Sequence, residues 1–204
     1  MKPTFPLTLV FKFSLLTELR VTDAHGTLIA VVREKFFSVR DEVRVYADED
    51  RKQQTHSIRA QGLMAGALDW RARREIRRRD GSVVGALQAQ GLRTLWGASY
   101  ELLDASGTPR LTIRDDHPWL SVVEGVMGAL PLIGDFVALG FDYLVNPTYT
   151  VTDVDGQPTL RVRKRRSLFS RRFVVDELRP VRPEDAELIV LGLVQLVLRE
   201  RERG

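Results

Sequence analysis

Short runs of alternating hydrophobic and polar residues, separated by turn residues, follow one another along most of the chain. About a dozen of them lie between Leu7 and Phe173, at a spacing of about ten residues per run, which is typical of an all-β sandwich or barrel rather than of βαβ units. Outside the repeat described next, the runs are Leu7–Phe13, Leu19–Asp23, Leu28–Arg33, Val43–Tyr46, Ser57–Ala60, Val83–Gln88 and Arg172–Val175. The pattern therefore predicts a mainly β fold.

One pattern occurs twice. Ser99–Arg114 reads S-Y-E-L-L-D-A-S-G-T-P-R-L-T-I-R, and Thr148–Arg163, 49 positions later, has Tyr, Asp, Gly, Pro, Leu and Arg at the same places. Each copy consists of a strand, a D-x-x-G turn and a second strand, which is the pattern of a β-hairpin. A fainter third copy begins at Asp23. We expect the two clear copies to be neighbouring hairpins of one barrel wall.

The second strand of the repeat shows which of its faces is buried. In the first copy Leu111 and Ile113 face one side, and Arg110, Thr112 and Arg114 face the other. The second copy repeats this arrangement. Such half-buried strands need a hydrophobic partner on one face only.

The C-terminal part predicts that partner. The segment Pro183–Asp185 is a helix start signal, because proline and acidic residues are favoured in the first turn. It precedes Leu188–Leu198, which only Gly192 and Gln195 interrupt, so the helix is apolar on every side and must be buried all round. We predict a central helix over 184–200 inside a barrel. The alternative is a short membrane anchor, although a bilayer span needs about 20 apolar residues.

A second apolar segment, Trp119–Val145, lies between the two hairpins. Its length suits a bilayer, but Glu124, Asp135 and Asp142 each cost roughly 2.5–3.5 kcal/mol near the bilayer centre, and Pro131 interrupts it. We therefore expect no transmembrane span. The expected structure is two short apolar helices or a compact loop over one barrel end, with membrane contact for its exposed part.

The composition bears on the cellular compartment of the protein and on its charge distribution. The 204 residues are expected to form one barrel domain, 1–204, and the absence of cysteine excludes disulfides, thiolate metal sites and cysteine nucleophiles. Because the chain has no cysteine and no predicted signal peptide, we expect a cytoplasmic protein. The net charge is +4, and all but five of the 31 basic residues are arginine. They concentrate at Arg71–Arg79, Arg161–Arg172 and Arg199–Arg203.

Motifs for catalysis are missing. The chain contains no G-x-S-x-G, phosphate-loop, dinucleotide-binding or H-E-x-x-H sequence, and His25, His56 and His117 are scattered singly. Asp153 begins a segment like a calcium loop, but Lys164 stands where the bidentate glutamate belongs. We therefore predict a non-enzymatic protein with no catalytic residues, no cofactor and no metal.

Several segments, in order along the chain, carry a family resemblance. They are Thr22–Gly26, Val31–Lys35, Val43–Tyr46, Trp96–Tyr100 with its D-x-x-G turn, His117–Trp119, Leu130–Gly134, Asn146–Tyr149, Arg163–Phe169, Arg172–Val175 and Glu187–Gly204. Together they resemble the LURP-one-related family, which belongs with the tubby-like proteins and phospholipid scramblases. The resemblance implies a closed, twelve-stranded, tubby-like β-barrel enclosing the C-terminal helix. It also implies phosphoinositide binding through basic side chains, as in tubby-like proteins, while the missing cysteines and calcium segment argue against calcium-driven scrambling.

The second hairpin runs directly into the sequence R-K-R-R-S-L-F-S-R-R, where the first runs into D-D-H-P-W. An apolar tip within a basic ring would suit an anionic membrane surface. The predicted lipid-binding residues are Arg165, Arg166, Leu168, Phe169, Arg171 and Arg172. We thus expect a peripheral protein that binds anionic phospholipid or phosphoinositide.

Other interpretations stay open. The arginines would equally suit a solvated face of a structural or protein-interaction module with an unknown partner. Nucleic acid is disfavoured because only Trp70, Phe169 and Phe173 accompany the arginine runs as stacking aromatics. A small-ligand carrier or enzyme would use the barrel interior, which Leu188–Leu198 is expected to fill.

Overall fold

The computed structural model describes residues 3–13, 16–35, 42–61, 73–90, 99–116, 148–165 and 171–203. Within these ranges lie twelve strands and one helix. The strands are β1 (Leu7–Phe13), β2 (Leu16–Thr22), β3 (Leu28–Lys35), β4 (Glu42–Tyr46), β5 (Gln54–Ala60), β6 (Arg74–Arg78), β7 (Val83–Ala89), β8 (Ser99–Asp104), β9 (Pro109–Asp115), β10 (Thr148–Asp153), β11 (Pro158–Arg165) and β12 (Arg171–Glu177). The helix α1 is Ala186–Arg203. The apolar segment 119–145 lies outside the described residues.

The strands form a closed antiparallel barrel in which each strand pairs with its neighbours in sequence. Pairing of β1 with both β2 and β12 closes the ring. Leu9, for example, lies opposite Val21 of β2 and Phe173 of β12. The predicted twelve-stranded closed barrel is thus confirmed. Closure leaves no unpaired sheet edge among these strands, which removes the usual site of strand-mediated aggregation.

One strand, β6, is absent from the runs that the hydrophobic pattern identified. It lies within the arginine-rich stretch Arg71–Arg79 and has a single apolar residue, Ile76, which is buried. Ile58 of β5 and Gly85 of β7 lie opposite Ile76 on its two sides. Alternation around one apolar residue is too short to stand out in a sequence, so the neighbouring strands determine this element.

The turns of the sequence repeat share one hydrogen-bonding arrangement. A carboxylate oxygen of Asp153 accepts hydrogen bonds from the backbone N–H groups of Asp155 (3.0 Å) and Gln157 (2.8 Å). Asp104 accepts the corresponding pair in the first copy. Gly156 has a φ of +74°, a left-handed conformation that costs glycine little because it has no Cβ. These contacts explain why Asp and Gly recur at fixed spacing.

We expect Gly156→Ala to lower the free energy of unfolding by about 1 kcal/mol, because an L side chain in the left-handed region is strained. An added Cβ would meet no atom within 4 Å, so the cost comes from the backbone alone. Urea unfolding followed by circular dichroism measures it. Gly156→Asn should lose less, since asparagine tolerates this region better. An alanine variant as stable as the wild type would contradict the assignment.

The helix α1 fills the barrel. Every residue from Leu188 to Arg199 is buried, and its apolar side chains form one core with inward-facing residues of the strands. At Gly192 an added Cβ would lie 2.4 Å from Leu102 Cδ2, so the glycine allows β8 and α1 to approach closely. Burial on all sides confirms the predicted enclosed helix. Its observed start is two residues later, and its end three residues later, than the predicted 184–200.

The two ends of the barrel differ. Since strands alternate in direction, the hairpin turns that the structure describes lie at one end, called here the turn end. They are 23–27, 47–53, 79–82, 104–108 and 153–157. The helix also begins there, because it follows β12. Near its other end, the Arg199 guanidinium lies 5.6 Å from the ring centroid of Tyr100, the second residue of β8. Thus α1 runs through the barrel from the turn end to the opposite end.

Candidate anion-binding face

The predicted lipid-binding residues fall partly within the described structure. Arg165 ends β11 and Arg172 is the second residue of β12, and the two lie directly opposite each other, both exposed. Arg171 begins β12, but its side chain lies outside the described part. The remaining predicted residues, Arg166, Leu168 and Phe169, lie outside the described residues. The structure thus brings together two of the six.

Three further arginines share the outer surface with this pair. Thr150 of β10 lies opposite Arg114 of β9 on one side and Arg161 of β11 on the other. Thr148 lies opposite Arg163. Directly opposed residues in neighbouring strands have side chains about 5 Å apart. We call the five exposed arginines the basic face: Arg114, Arg161, Arg163, Arg165 and Arg172.

Most of the charge on the basic face is not neutralised. Arg163 forms an ion pair with Asp176, with Nε and Nη2 at 3.0 and 2.6 Å from Oδ2. Within the described ranges, Arg114, Arg161, Arg165 and Arg172 form no ion pair with a carboxylate. Their exposed guanidinium groups retain donors arranged to match the oxygens of phosphate or carboxylate.

Arginines on the other side of the barrel are neutralised by glutamates. Glu18 of β2 accepts from Arg33 of β3 and lies 2.9 Å from Nε of Arg20. Glu42 of β4 binds Arg59 of β5 at 3.1 Å. The arginine content is therefore spread over the chain. Among the described residues, Arg51, Arg79 and Arg179 in the turns are also exposed without an ion pair, but the exposed strand arginines that lack one lie on β9–β12. Exposed positive charge of this kind attracts anions, and more strongly at low salt.

A second group of charged residues lies at the turn end, where α1 enters the barrel. Glu187 Oε1 lies 2.8 Å from His56 Nε2 and 3.0 Å from Arg78 Nε, and Glu187 Oε2 accepts from Arg78 Nη2. Burial alone would raise the pKa of Glu187, but the hydrogen bonds from Arg78 and His56 outweigh burial and lower that pKa below its ordinary value. The carboxylate is therefore held ionised between two strands.

Asp185, the residue before α1, also binds two arginines. Its Oδ1 accepts from Arg110 Nε at 3.0 Å, and its Oδ2 accepts from Arg182 Nε at 2.8 Å. The pKa of Arg110 is raised, chiefly by this hydrogen bond to Asp185. Alternation predicted Arg110 on the outer face. It is the second residue of β9, at the turn end, is half-buried, and binds Asp185 beside the start of α1. The Glu187 and Asp185 clusters thus link the start of α1 to the strands of the barrel.

Sequence reasoning did not single out His56, Arg78 or Arg110 as partners of the helix. Their carboxylate partners lie 75 to 131 residues away in sequence, so only folding brings them together. The available signal was the acidic residues at the predicted helix start, which need cations nearby once the helix is buried.

A pocket of about 220 Å³ opens at the turn end between the 153–157 turn and the segment before α1. Leu111, Thr159 and Ile189 form its inner wall, and Asp185 lines it. Because both oxygens of Asp185 already hold arginines, we assign no ligand to this carboxylate.

Two further properties concern metals and membranes. In the part of the chain that the structure describes, no three histidine, aspartate or glutamate side chains are grouped so as to hold a metal ion. No helix in those same residues combines the length and apolar character needed to cross a bilayer.

Comparison with known proteins finds no match: no protein-family model fits the chain, and no curated protein is similar to it at a significant level. The LURP-one-related resemblance therefore stays a prediction. Arguments about function rest on the barrel and its charged surfaces.

Proposed function

We propose that this protein is a non-catalytic barrel that binds anionic phospholipid at a membrane surface through its basic face. The observation that supports the proposal is the concentration of unneutralised arginines, Arg114, Arg161, Arg165 and Arg172, on β9–β12. Near an anionic surface each cation contributes about 1 kcal/mol, so several together localise a protein reversibly.

The composition of this surface suits headgroups. Arginine binds phosphate oxygens with two parallel hydrogen bonds, and the hydroxyls of Thr148 and Thr150 stand among the arginines as further donors. The family resemblance points the same way, because tubby-like proteins bind phosphoinositides through basic side chains. The barrel interior offers no competing site in the region that α1 fills.

Vesicle flotation tests the proposal. We expect the wild type to float with phosphatidylcholine vesicles that contain phosphatidylserine or a phosphoinositide, and not with phosphatidylcholine alone. Replacing Arg114, Arg161, Arg165 and Arg172 with glutamine should lower partitioning at least tenfold, which corresponds to about 1.4 kcal/mol and is a conservative figure for four cations. Raising the salt concentration should release the wild type.

A matched control removes four charges elsewhere. Arg44, Lys52 and Arg59 are exposed and Arg77 is half-buried, all on the opposite side of the barrel. Changing all four to glutamine lowers the net charge from +4 to zero, as the test variant does. The control should still float. If vesicle partitioning fell equally in both variants, the effect would come from net charge in general, which would contradict the proposal. Comparable, salt-sensitive binding to random oligonucleotides would instead favour a nucleic-acid partner.

A further inference from the structure

The three D-x-x-G turns of the repeat differ at the residue after the aspartate. In the turns that begin at Asp23 and Asp104 this residue is alanine, whereas the turn that begins at Asp153 has Val154. All three turns are held by hydrogen bonds from backbone N–H groups to the aspartate carboxylate. The turn geometry therefore does not require a larger apolar side chain at position 154, yet Val154 is present and is 60% exposed to solvent.

Val154 belongs to an apolar groove at the turn end. Among the described residues, Val154 and Leu178 are the two large hydrophobic side chains that are exposed, and both are at this end. Val154 lines the pocket at the turn end, together with Pro180 and Val181 of the segment before α1. The backbone N–H of Leu178 donates to the carbonyl oxygen of Thr159, another residue of the pocket, at 2.8 Å. We call this surface the rim groove: Val154, Leu178, Pro180 and Val181 around a floor of Leu111 and Ile189.

The pocket in the rim groove has the size of one side chain. Its volume is about 220 Å³, and an apolar cavity of about 150 Å³ is large enough to hold benzene. The ring of a phenylalanine or the branched end of a leucine therefore fits, and Leu111 and Ile189 offer it apolar contact. Because the pocket opens at the end of the barrel, such a side chain can enter from outside while α1 stays in place.

Carboxylates surround the rim groove. Asp153, Asp155 and Asp185 line the pocket, and Arg182 is the one arginine that lines it with them. Asp185 is neutralised by Arg110 and Arg182. Within the described ranges, Asp153 and Asp155 form no ion pair, and Asp155 is exposed. Two negative charges on the rim are therefore free to attract a cationic group.

The same sign of charge extends over the whole turn end. Its five turns, together with 178–187 before and at the start of α1, hold eleven carboxylates but only five lysines and arginines, all of them described residues. Arg78 and Arg110, which bind carboxylates at this end, reduce the excess of negative charge from six to four. An acidic surface attracts cationic segments and repels anionic ones. The charge thus indicates a cationic partner, and the groove indicates an apolar residue within it.

From these observations we propose that the rim groove binds a cationic peptide segment of a partner protein. One aromatic or branched apolar side chain of the segment occupies the pocket, and lysines or arginines on either side of it lie beside Asp153 and Asp155. This binding is separate from the proposed lipid binding, because the groove is at the barrel end and the basic face is on the outer surface of β9–β12.

Synthetic peptides test the proposal. The probe is a fluorescein-labelled peptide in which one phenylalanine stands between two pairs of arginines, with glycine and serine at the other positions. Two comparison peptides change the probe in one respect each: alanine replaces the phenylalanine, or glutamates replace the arginines. We expect fluorescence anisotropy to show at least tenfold tighter binding of the probe than of either comparison peptide, because only the probe both fills the pocket and matches its charge.

The sequence repeat supplies a variant that retains the turn. Val154→Ala combined with Asp155→Ser gives the second turn the residues Ala105 and Ser106 of the first turn, which forms the same hydrogen bonds. This double variant should bind the probe about tenfold more weakly and keep the circular dichroism spectrum of the wild type. Asp50→Ser is the matched control, because it also removes one exposed carboxylate, from the turn between β4 and β5 on the opposite side of the barrel. Its affinity for the probe should stay within about twofold of the wild type.

Three outcomes would overturn the proposal. The first is that the wild type binds the probe no more tightly than the alanine peptide, or does not bind it at all, so that the pocket takes no side chain. The second is an equal loss of affinity in Asp50→Ser and in the double variant, which would mean that net charge alone attracts the peptide. The third is a wild type that dimerises in sedimentation equilibrium while the double variant stays monomeric, which would assign the rim groove to a second copy of the chain.

Discussion

Replacing Leu191 with alanine is expected to lower the free energy of unfolding by about 2–5 kcal/mol. Leu191 is 0% exposed and belongs to the α1 residues that form one core with the strands. The barrel wall is closed by hydrogen bonds all round, so it cannot collapse inward to fill the space that the shortened side chain leaves. When the surrounding residues cannot move in to fill the cavity, the loss in free energy of unfolding lies in the upper part of the range for leucine-to-alanine substitutions.

The measurement is chemical unfolding followed by intrinsic fluorescence and by circular dichroism. Leu178→Ala is the matched control, because it removes the same atoms from a side chain that is 42% exposed. The control should change stability by no more than about 0.5 kcal/mol. If Leu191→Ala were no more destabilising than Leu178→Ala, the helix would not be the core of the barrel.

Replacing Glu187 with glutamine is expected to cost about 2 kcal/mol. The substitution keeps the shape of the side chain but leaves Arg78 without its carboxylate and replaces the carboxylate oxygen that hydrogen-bonds to buried His56. Removing one partner of a buried ion pair costs more than 3 kcal/mol when both are fully enclosed. Arg78 is partly exposed at the rim, so solvent screening reduces this figure.

The same residue gives a pH dependence with a defined sign. The folded-state pKa of Glu187 lies below its ordinary value of 4.5, so in acid the unfolded state binds a proton more readily than the folded state. The contribution of Glu187 to stability is therefore fully present above about pH 4.5 and is lost as the pH falls through the lower pKa of the folded state. The free energy of unfolding of the Glu187→Gln variant should therefore fall less in acid than that of the wild type, because this contribution is missing from it.

Comparing wild type and variant isolates the effect, since other carboxylates titrate in both. The pKa values of Asp80 and Asp104 are lowered as well, chiefly by hydrogen bonds from the hydroxyls of Ser82 and Ser106, and they contribute to the acid slope of each protein. Glu184→Gln is the control: its side chain is 61% exposed and lies 3.8 Å from Arg110. Parallel stability curves for wild type and Glu187→Gln between pH 3 and pH 6 would contradict the role assigned to Glu187.

Much of the fold follows from local pattern. Alternation around Leu111 and Ile113 buries one face of a strand whatever its partners, because side chains in a strand point to opposite sides. The paired D-x-x-G turns depend on contacts within five residues, so the recurrence of Asp153 and Gly156 predicts them directly. A helix that is apolar on all sides has no stable position except in an interior.

Of the candidate site, local pattern predicted only the part that lies next to the second hairpin. Arg165 and Arg172 were found because they are close in sequence, separated by the connection between β11 and β12. Arg114 joins them through the pairing of β9 with β10, and its lack of a neutralising carboxylate depends on which side chains the barrel places beside it. The sequence around residue 114 encodes neither the position of Arg114 beside the other arginines nor its lack of a carboxylate partner.

The sequence alone therefore specified a chain of amphipathic strands, their turns and a helix that must be enclosed, because each depends on short-range spacing and on the exclusion of apolar surface from water. Strand order, closure and the pairing of Glu187 with His56 and Arg78 depend on residues that are distant in sequence. The basic face also arises at this level, because the pairing of β9, β10, β11 and β12 places Arg114 on the same outer surface as Arg161, Arg165 and Arg172.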